Sequence, residues 1–170
     1  MPELWDLYDT NRTPLHRTLI RGEQKQPGEY HTVAVIWVVT PTGEILLTLR
    51  DPRKLDFPNK WESPGGSILA GETSVQGAAR ELFEETGICA KEGELVLFGT
   101  AKESSAFIDI YMLKRDVTLQ DIVLQDGETV DAQLVSLEKL QQMMDDRTLA
   151  QPAVERLTYV WDAFIRGLHV

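Results

Sequence analysis

The apolar positions change period several times along the chain. "ELWDLY" and "PLHRTLI" flank the turn-like "DTNRT", which predicts a hairpin near the N-terminus, and "RGEQKQPGEY" follows as a polar connection. "HTVAVIWVV" is a continuous β-branched run of the kind that fills a buried strand, and "EILLTLR" resumes after the turn at Pro41 to Gly43. These two are expected to pair in register as a central hairpin. The prolines of "DPRKLDFPNKWESPGG" predict a long loop. The spacing then lengthens: Val75, Ala78, Ala79 and Leu82 fall on one side of a helix expected from about Ser74 to Thr86. Thr73 and Gln76 fit a capping box at its start, and Gly87 is available as a left-handed cap at its end. "ELVLFGTAK" and "AFIDIYMLKR" read as strands around an "ESS" turn. "VSLEKLQQMM" reads as a helix with Ser136 as N-cap, and a last helix is expected over roughly Pro152 to Arg166, striped by Val154, Leu157, Val160, Trp161 and Phe164. Hairpins outnumber βαβ units, so the pattern predicts an α+β fold, a mixed sheet with helices on its faces.

Composition narrows this further. At 170 residues, 42% hydrophobic and 26% charged, the chain suits one domain over residues 1–170, with the N-terminal hairpin as an extension at about residues 1–30. A net charge of -10 and a pI near 4.7 argue against general attraction to nucleic acid or anionic lipid, so an anionic substrate needs a local countercharge. The start, "MPELWDLYD", has neither a basic nor an apolar leader region, and the run Val33 to Val39 is far shorter than the roughly 20 residues of a membrane helix. A soluble, cytoplasmic protein is expected. The single cysteine, Cys89, excludes an internal disulfide and a zinc cluster of cysteines.

The helix raises a chemical question. Glu81, Glu84 and Glu85 are spaced three and four apart, so their carboxylates leave neighbouring places on one surface and repel. A divalent cation reverses that repulsion, and hard oxygen donors suit magnesium, manganese or calcium. Gly77, one turn earlier, would leave room for metal or phosphate. The plain alternative is a solvated face with an Arg80–Glu84 ion pair worth about 0.3–0.5 kcal/mol, and a Gly77 that merely weakens the helix by about 1 kcal/mol.

The wider pattern, Gly66, Glu72, Arg80, Glu81, Leu82, Glu84, Glu85, Gly87 and Ile88, resembles the Nudix box G-x5-E-x7-R-E-U-x-E-E-x-G-U, where U is apolar, at every specified position. The resemblance implies a Nudix-type α/β/α sandwich and hydrolysis of a diphosphate linkage in a nucleoside diphosphate derivative by water, with Mg2+ or Mn2+ as cofactor. It places metal on Glu81, Glu84, Glu85 and the Gly65 carbonyl, with Glu72 supporting from further out and Arg80 orienting Glu81. The proton acceptor stays open between Glu84, Glu85 and the downstream Glu128. "YHTVAVIWV", "GEILLTLRDPRKLDFPNKWE" and "LAGET" are similar to the branch related to isopentenyl diphosphate isomerase, yet Pro64, Gly65 and Gly66 stand where those isomerases carry a Cys-Gly-His element. His31 matches one of their metal-binding histidines, but lacks the second and is expected to be structural. An isomerase and a non-catalytic nucleotide-binding module are the alternatives.

Arg50, Arg53, Lys54 and Lys60 concentrate positive charge before the box, with Arg50 and then Lys54 the expected phosphate contacts. Trp61 and Phe57 are candidates to stack on a base, against the alternative of loop or core anchors. The expected partner is a small-molecule diphosphate, with no membrane and no general nucleic acid, and a homodimer is left open.

Overall fold

The computed structural model describes residues 2–168, so residues 1, 169 and 170 of the expected domain lie outside the described residues. The N-terminal hairpin forms as expected: β1 (Leu4–Tyr8) pairs antiparallel with β2 (Pro14–Ile20). The main sheet among the described residues has seven strands: β3 (His31–Val39), β4 (Ile45–Arg50), β5 (Trp61–Glu62), β6 (Gly65–Ser67), β7 (Leu95–Lys102), β8 (Ala106–Lys114) and β9 (Thr129–Val135). Four α-helices among the described residues accompany it: α1 (Ser74–Thr86), α2 (Leu137–Asp145), α3 (Gln151–Tyr159) and α4 (Trp161–Leu168).

The central hairpin is the first departure from expectation. β3 and β4 share only the Val39↔Ile45 pair beside the turn and then diverge. β3 runs parallel to β8 from His31↔Ala106 to Val39↔Lys114, while β4 turns its other edge to β9. The segment after the long loop enters the resulting fork. β5 lies along the β4 arm through Thr48↔Glu62 and Leu49↔Trp61, and β6 lies along the β3 arm through Val33↔Ser67, Ala34↔Gly66 and Val35↔Gly65. Each arm thus gains a strand partner inside the fork, β5 on β4 and β6 on β3.

Alternation along β3 divides the core between two layers. Val35, Trp37 and Val39 face Leu140, Met143, Leu157 and Phe164 from the C-terminal helices, whereas Ala34, Ile36 and Val38 face Ala78 and Leu82 of α1. This is the expected mixed sheet between helices. The single final helix is the second departure, because the chain breaks at Val160, whose φ of -110 and ψ of 14 end α3 before α4 begins. A Cβ on Gly99 would come 2.3 Å from Val160 Cγ1, so the break seats Val160 against β7 where only glycine leaves room. No helix among the described residues is long and apolar enough to cross a membrane.

Candidate active site

The mouth of the fork is a polar cleft of about 380 Å³, lined from below by β6 and from one side by α1. α1 is set there by its ends. Thr73 Oγ1 accepts from the Gln76 N–H at 3.3 Å while Gln76 Oε1 accepts from the Thr73 N–H at 3.0 Å. At the other end Gly87, with φ of 74, donates to the Phe83 carbonyl at 2.8 Å. Ala78 and Leu82 are buried on the sheet, which turns Glu81, Glu84 and Glu85 toward the cleft.

Arg80 organises these acids. Its Nε and Nη2 donate to the two oxygens of Glu72 at 2.7 and 2.9 Å, and Nη1 donates to Glu81 at 2.8 Å and Glu84 at 3.1 Å. Nη2 also reaches the Ser67 carbonyl at 3.0 Å, tying α1 to β6. Glu72 additionally accepts from the Leu69 N–H at 2.9 Å and does not line the cleft. Burial opposes its charge, but the Arg80 bonds and the Leu69 N–H outweigh it and hold the carboxyl below the usual range.

The floor is short of positive charge. Glu85 is only 8% exposed, and its Oε2 accepts from the Gly65 N–H at 3.0 Å. Burial pushes its pKa well above the ordinary value, and the charges of Glu62, Glu81 and Glu128 push the same way. Burial also raises Glu81 against its Arg80 bond, and raises Glu62 although Arg50 Nη1 donates to it at 2.7 Å. Gly66 makes the approach possible: a Cβ there would lie 2.5 to 2.7 Å from the Glu81 carboxylate. Among the described residues no three acidic, histidine or cysteine side chains converge as a ready-made metal cage. The donor set itself, carboxylates plus an uncapped glycine backbone in a cleft that disfavours their charge, fits a hard divalent cation.

The NUDIX domain matches residues 29–157. The chain belongs to the Nudix family. It is 39% identical over 145 residues to the uncharacterized Nudix hydrolase lmo0368 of Listeria monocytogenes, covering 82% of this chain and 83% of that one. In fold it is similar to DR0079 from Deinococcus radiodurans, with a TM-score of 0.77 at 19% identity over 94% of this chain and 99% of the other. It is also similar to the NUDIX domain of Shewanella oneidensis NrtR complexed with ADP ribose, with a TM-score of 0.64 at 18% identity over 86% and 91% of the two chains. The chain is thus a Nudix pyrophosphohydrolase, of a family that generally uses divalent metal ions.

Within this Nudix fold the other candidate residues divide. Arg50, Lys54 and Glu128 line the cleft together with the box acids and Gly65. Glu128 is ion-paired to Lys54, and Arg50 also donates to the Asp56 carbonyl at 2.8 and 3.1 Å. Trp61 is not among the residues lining the cleft: its side chain packs against the core cluster of the C-terminal helices, and its backbone N–H donates to the Thr148 carbonyl at 3.0 Å, which anchors the strand. Phe57 is 42% exposed at a φ of 51 on the loop. Gly77 does not face the cleft; a Cβ there would meet Ile68 Cδ1 at 2.5 Å, so its role is close packing of α1. His31 is structural, stacked on Trp5 at 4.3 Å and bonded through Nδ1 to the Ser105 carbonyl at 3.1 Å. Several cleft-lining residues were not singled out by the sequence, among them Glu3, Arg21, Glu62 and Arg156. Glu62 had a faint signal, an acid directly after Trp61 in a segment otherwise read as loop. The others reach the cleft only through tertiary structure.

Proposed function

We propose that this chain hydrolyses a diphosphate linkage in a nucleoside diphosphate derivative by attack of water at phosphorus, assisted by Mg2+ or Mn2+. The observation that carries the reading is the buried Glu85, surrounded by Glu62, Glu81 and Glu128 in a cleft whose cations stand at its walls. Glu81, Glu84, Glu85 and the Gly65 carbonyl would hold the ion, and Arg80, braced by Glu72, keeps Glu81 and Glu84 in place. Such an ion supplies neutralisation of diphosphate oxygens and acidification of water. Arg50 and Lys54 offer phosphate contacts from the β4 arm, and the proton is accepted by Glu84, Glu85 or Glu128. The ADP ribose held by the Shewanella domain supports a ligand of this class.

The test is incubation with Mg2+ and a panel of nucleoside triphosphates, nucleotide sugars, dinucleotide cofactors and dinucleotide polyphosphates, following phosphate-containing products. Metal-dependent turnover that Glu85→Gln abolishes is expected, and separate Glu84→Gln and Glu128→Gln variants distinguish the acceptors by their pH profiles. Ligand-induced thermal stabilisation with every substrate left intact would replace hydrolysis by binding.

A further inference from the structure

Four cations outside the box line the cleft: Arg21, Arg50, Lys54 and Arg156. Three are largely covered and committed, with side chains 19 to 20% exposed and paired to Glu62, Glu128 and Glu103. Arg21 differs. Its side chain is 55% exposed, and the partner of its Nη1, Glu3 at 2.8 Å, is itself 44% exposed. The remaining guanidinium edge is available to an anion without first breaking a buried pair, and the nearby charges beyond Glu3 are those of Glu128 and Glu81.

The backbone of Arg21 is anchored. It closes the open end of the N-terminal hairpin, donating its backbone N–H to the Glu3 carbonyl at 2.9 Å. The hairpin is fastened to the approach to α1 by Ala70 N–H to the Leu4 carbonyl at 2.7 Å and Gly71 N–H to Asp6 Oδ2 at 2.8 Å. At its turn, Arg12 Nη1 donates to the buried Asp109 at 2.8 Å, and Asp109 also receives the Ser74 hydroxyl from the first turn of α1. The hairpin and the box helix are therefore bolted to one carboxylate, and the hairpin brings Arg21 into the lining of the same cleft as Arg50, Lys54 and the box glutamates Glu81, Glu84 and Glu85. Side chains set on a rigid element discriminate better than those on loose loops.

Resting on the hydrolase reading above, we infer that Arg21 is a specificity-determining residue that binds a phosphoryl group beyond the reacting diphosphate. The preferred substrates then carry three consecutive phosphates, as nucleoside triphosphates do, over those whose distal group is uncharged. Glu3 is the internal competitor that occupies Arg21 until that phosphate arrives.

The test is calorimetric binding in Mg2+ of two inert adenosine analogues with every bridging oxygen replaced by methylene, one a diphosphate and one a triphosphate. Arg21→Ala is expected to weaken the triphosphate analogue about tenfold or more while changing the diphosphate analogue less than about twofold. Arg21→Lys should recover part of the loss, and Glu3→Gln should tighten the triphosphate analogue. With turnover, the same split appears in KM and not kcat for a triphosphate against a nucleotide sugar. Equal weakening of both analogues, or none, overturns the role of Arg21 and leaves the hydrolase reading standing. Failure of the wild-type protein to bind either analogue overturns both.

Discussion

Substituting Gly66 by alanine isolates the geometry of the acid floor from the stability of the fold. Gly66 does not occupy the left-handed region, so the change adds a methyl group without backbone strain. That methyl would lie 2.5 Å from Glu81 Cδ and Oε2, where ordinary contact begins near 3.4 Å, so the carboxylate must retreat by about 0.9 Å. Glu81 is the end of a side chain, so the retreat is cheap for folding, but it stretches the 2.8 Å bond from Arg80. A misplacement of about 1 Å costs on the order of 100-fold in rate, equivalent to about 2.7 kcal/mol of barrier. Gly65→Ala makes the opposite prediction. Its Cβ would sit 2.3 Å from the Ala34 carbonyl oxygen and 2.9 Å from Val35 Cα, and neither backbone atom can yield within the sheet. Overpacking of this kind costs about 1–3 kcal/mol, which lowers Tm by roughly 2–12 °C for a domain of this size. Gly93→Ala, with nothing within 4 Å of its Cβ, is the control. Initial rates in Mg2+ on the best substrate of the panel, read beside thermal unfolding, separate the three. A Gly66→Ala protein with kcat/KM within about threefold of wild type, while Glu81→Gln is strongly impaired, would refute the cradle argument.

Three further outcomes follow from the same structure. Glu85→Gln removes a carboxylate whose burial raises its pKa, so the metal-free variant should be more stable than wild type, by about 0.5–2 kcal/mol, while losing the Mg2+-dependent rise in Tm expected of wild type. Arg80→Lys gives up the fork that grips Glu72, Glu81 and Glu84 together, and should cost about 10- to 100-fold in metal affinity, measured by titration calorimetry. His31 is held down to about 4 by burial and then by Lys25, against 6.5 for the free side chain, so below pH 6.5 the unfolded chain binds a proton that the fold rejects. Its contribution to stability therefore falls as pH drops from 6.5 toward 4, by about 3 kcal/mol in all. Urea unfolding at several pH values should show a flatter dependence for His31→Gln over that window.

The box helix was fully legible because each signal for it is local: the cap, the apolar stripe, the left-handed glycine and the fixed acids lie within Gly66 to Ile88. The fork was not. β3 and β4 flank a turn and read as an ordinary hairpin, and nothing within either strand states that the parallel partner β8 and the antiparallel partner β9 hold them more extensively than they hold each other. β9 was itself missed although Val130, Ala132 and Leu134 alternate with Asp131 and Gln133, a signal diluted by burial that is complete only at its ends. The break at Val160 escaped for the reverse reason, as the stripe Val154, Leu157, Val160, Trp161 and Phe164 continues across it. Trp61 could be assigned only once Thr148 and Ala150 were seen to bond its backbone from almost ninety residues away, with Ala150 N–H reaching its carbonyl at 2.8 Å.

The fork has a consequence for how the site loosens. Gly65–Ser67, which meets Glu85 and Glu81, is not a loop draped on the sheet but a strand of it, flanked by Ile36 N–H to the Pro64 carbonyl at 2.9 Å and Ile68 N–H to the Thr32 carbonyl at 3.0 Å. The amides of Ile36 and Ile68 should exchange with solvent only in the openings that part this strand from β3, whereas the amides of the loop over residues 51–60 exchange by local fluctuation. The cleft-lining backbone is thus as persistent as the fold, and adaptation to a different substrate has its easiest routes through the loop and the hairpin around it.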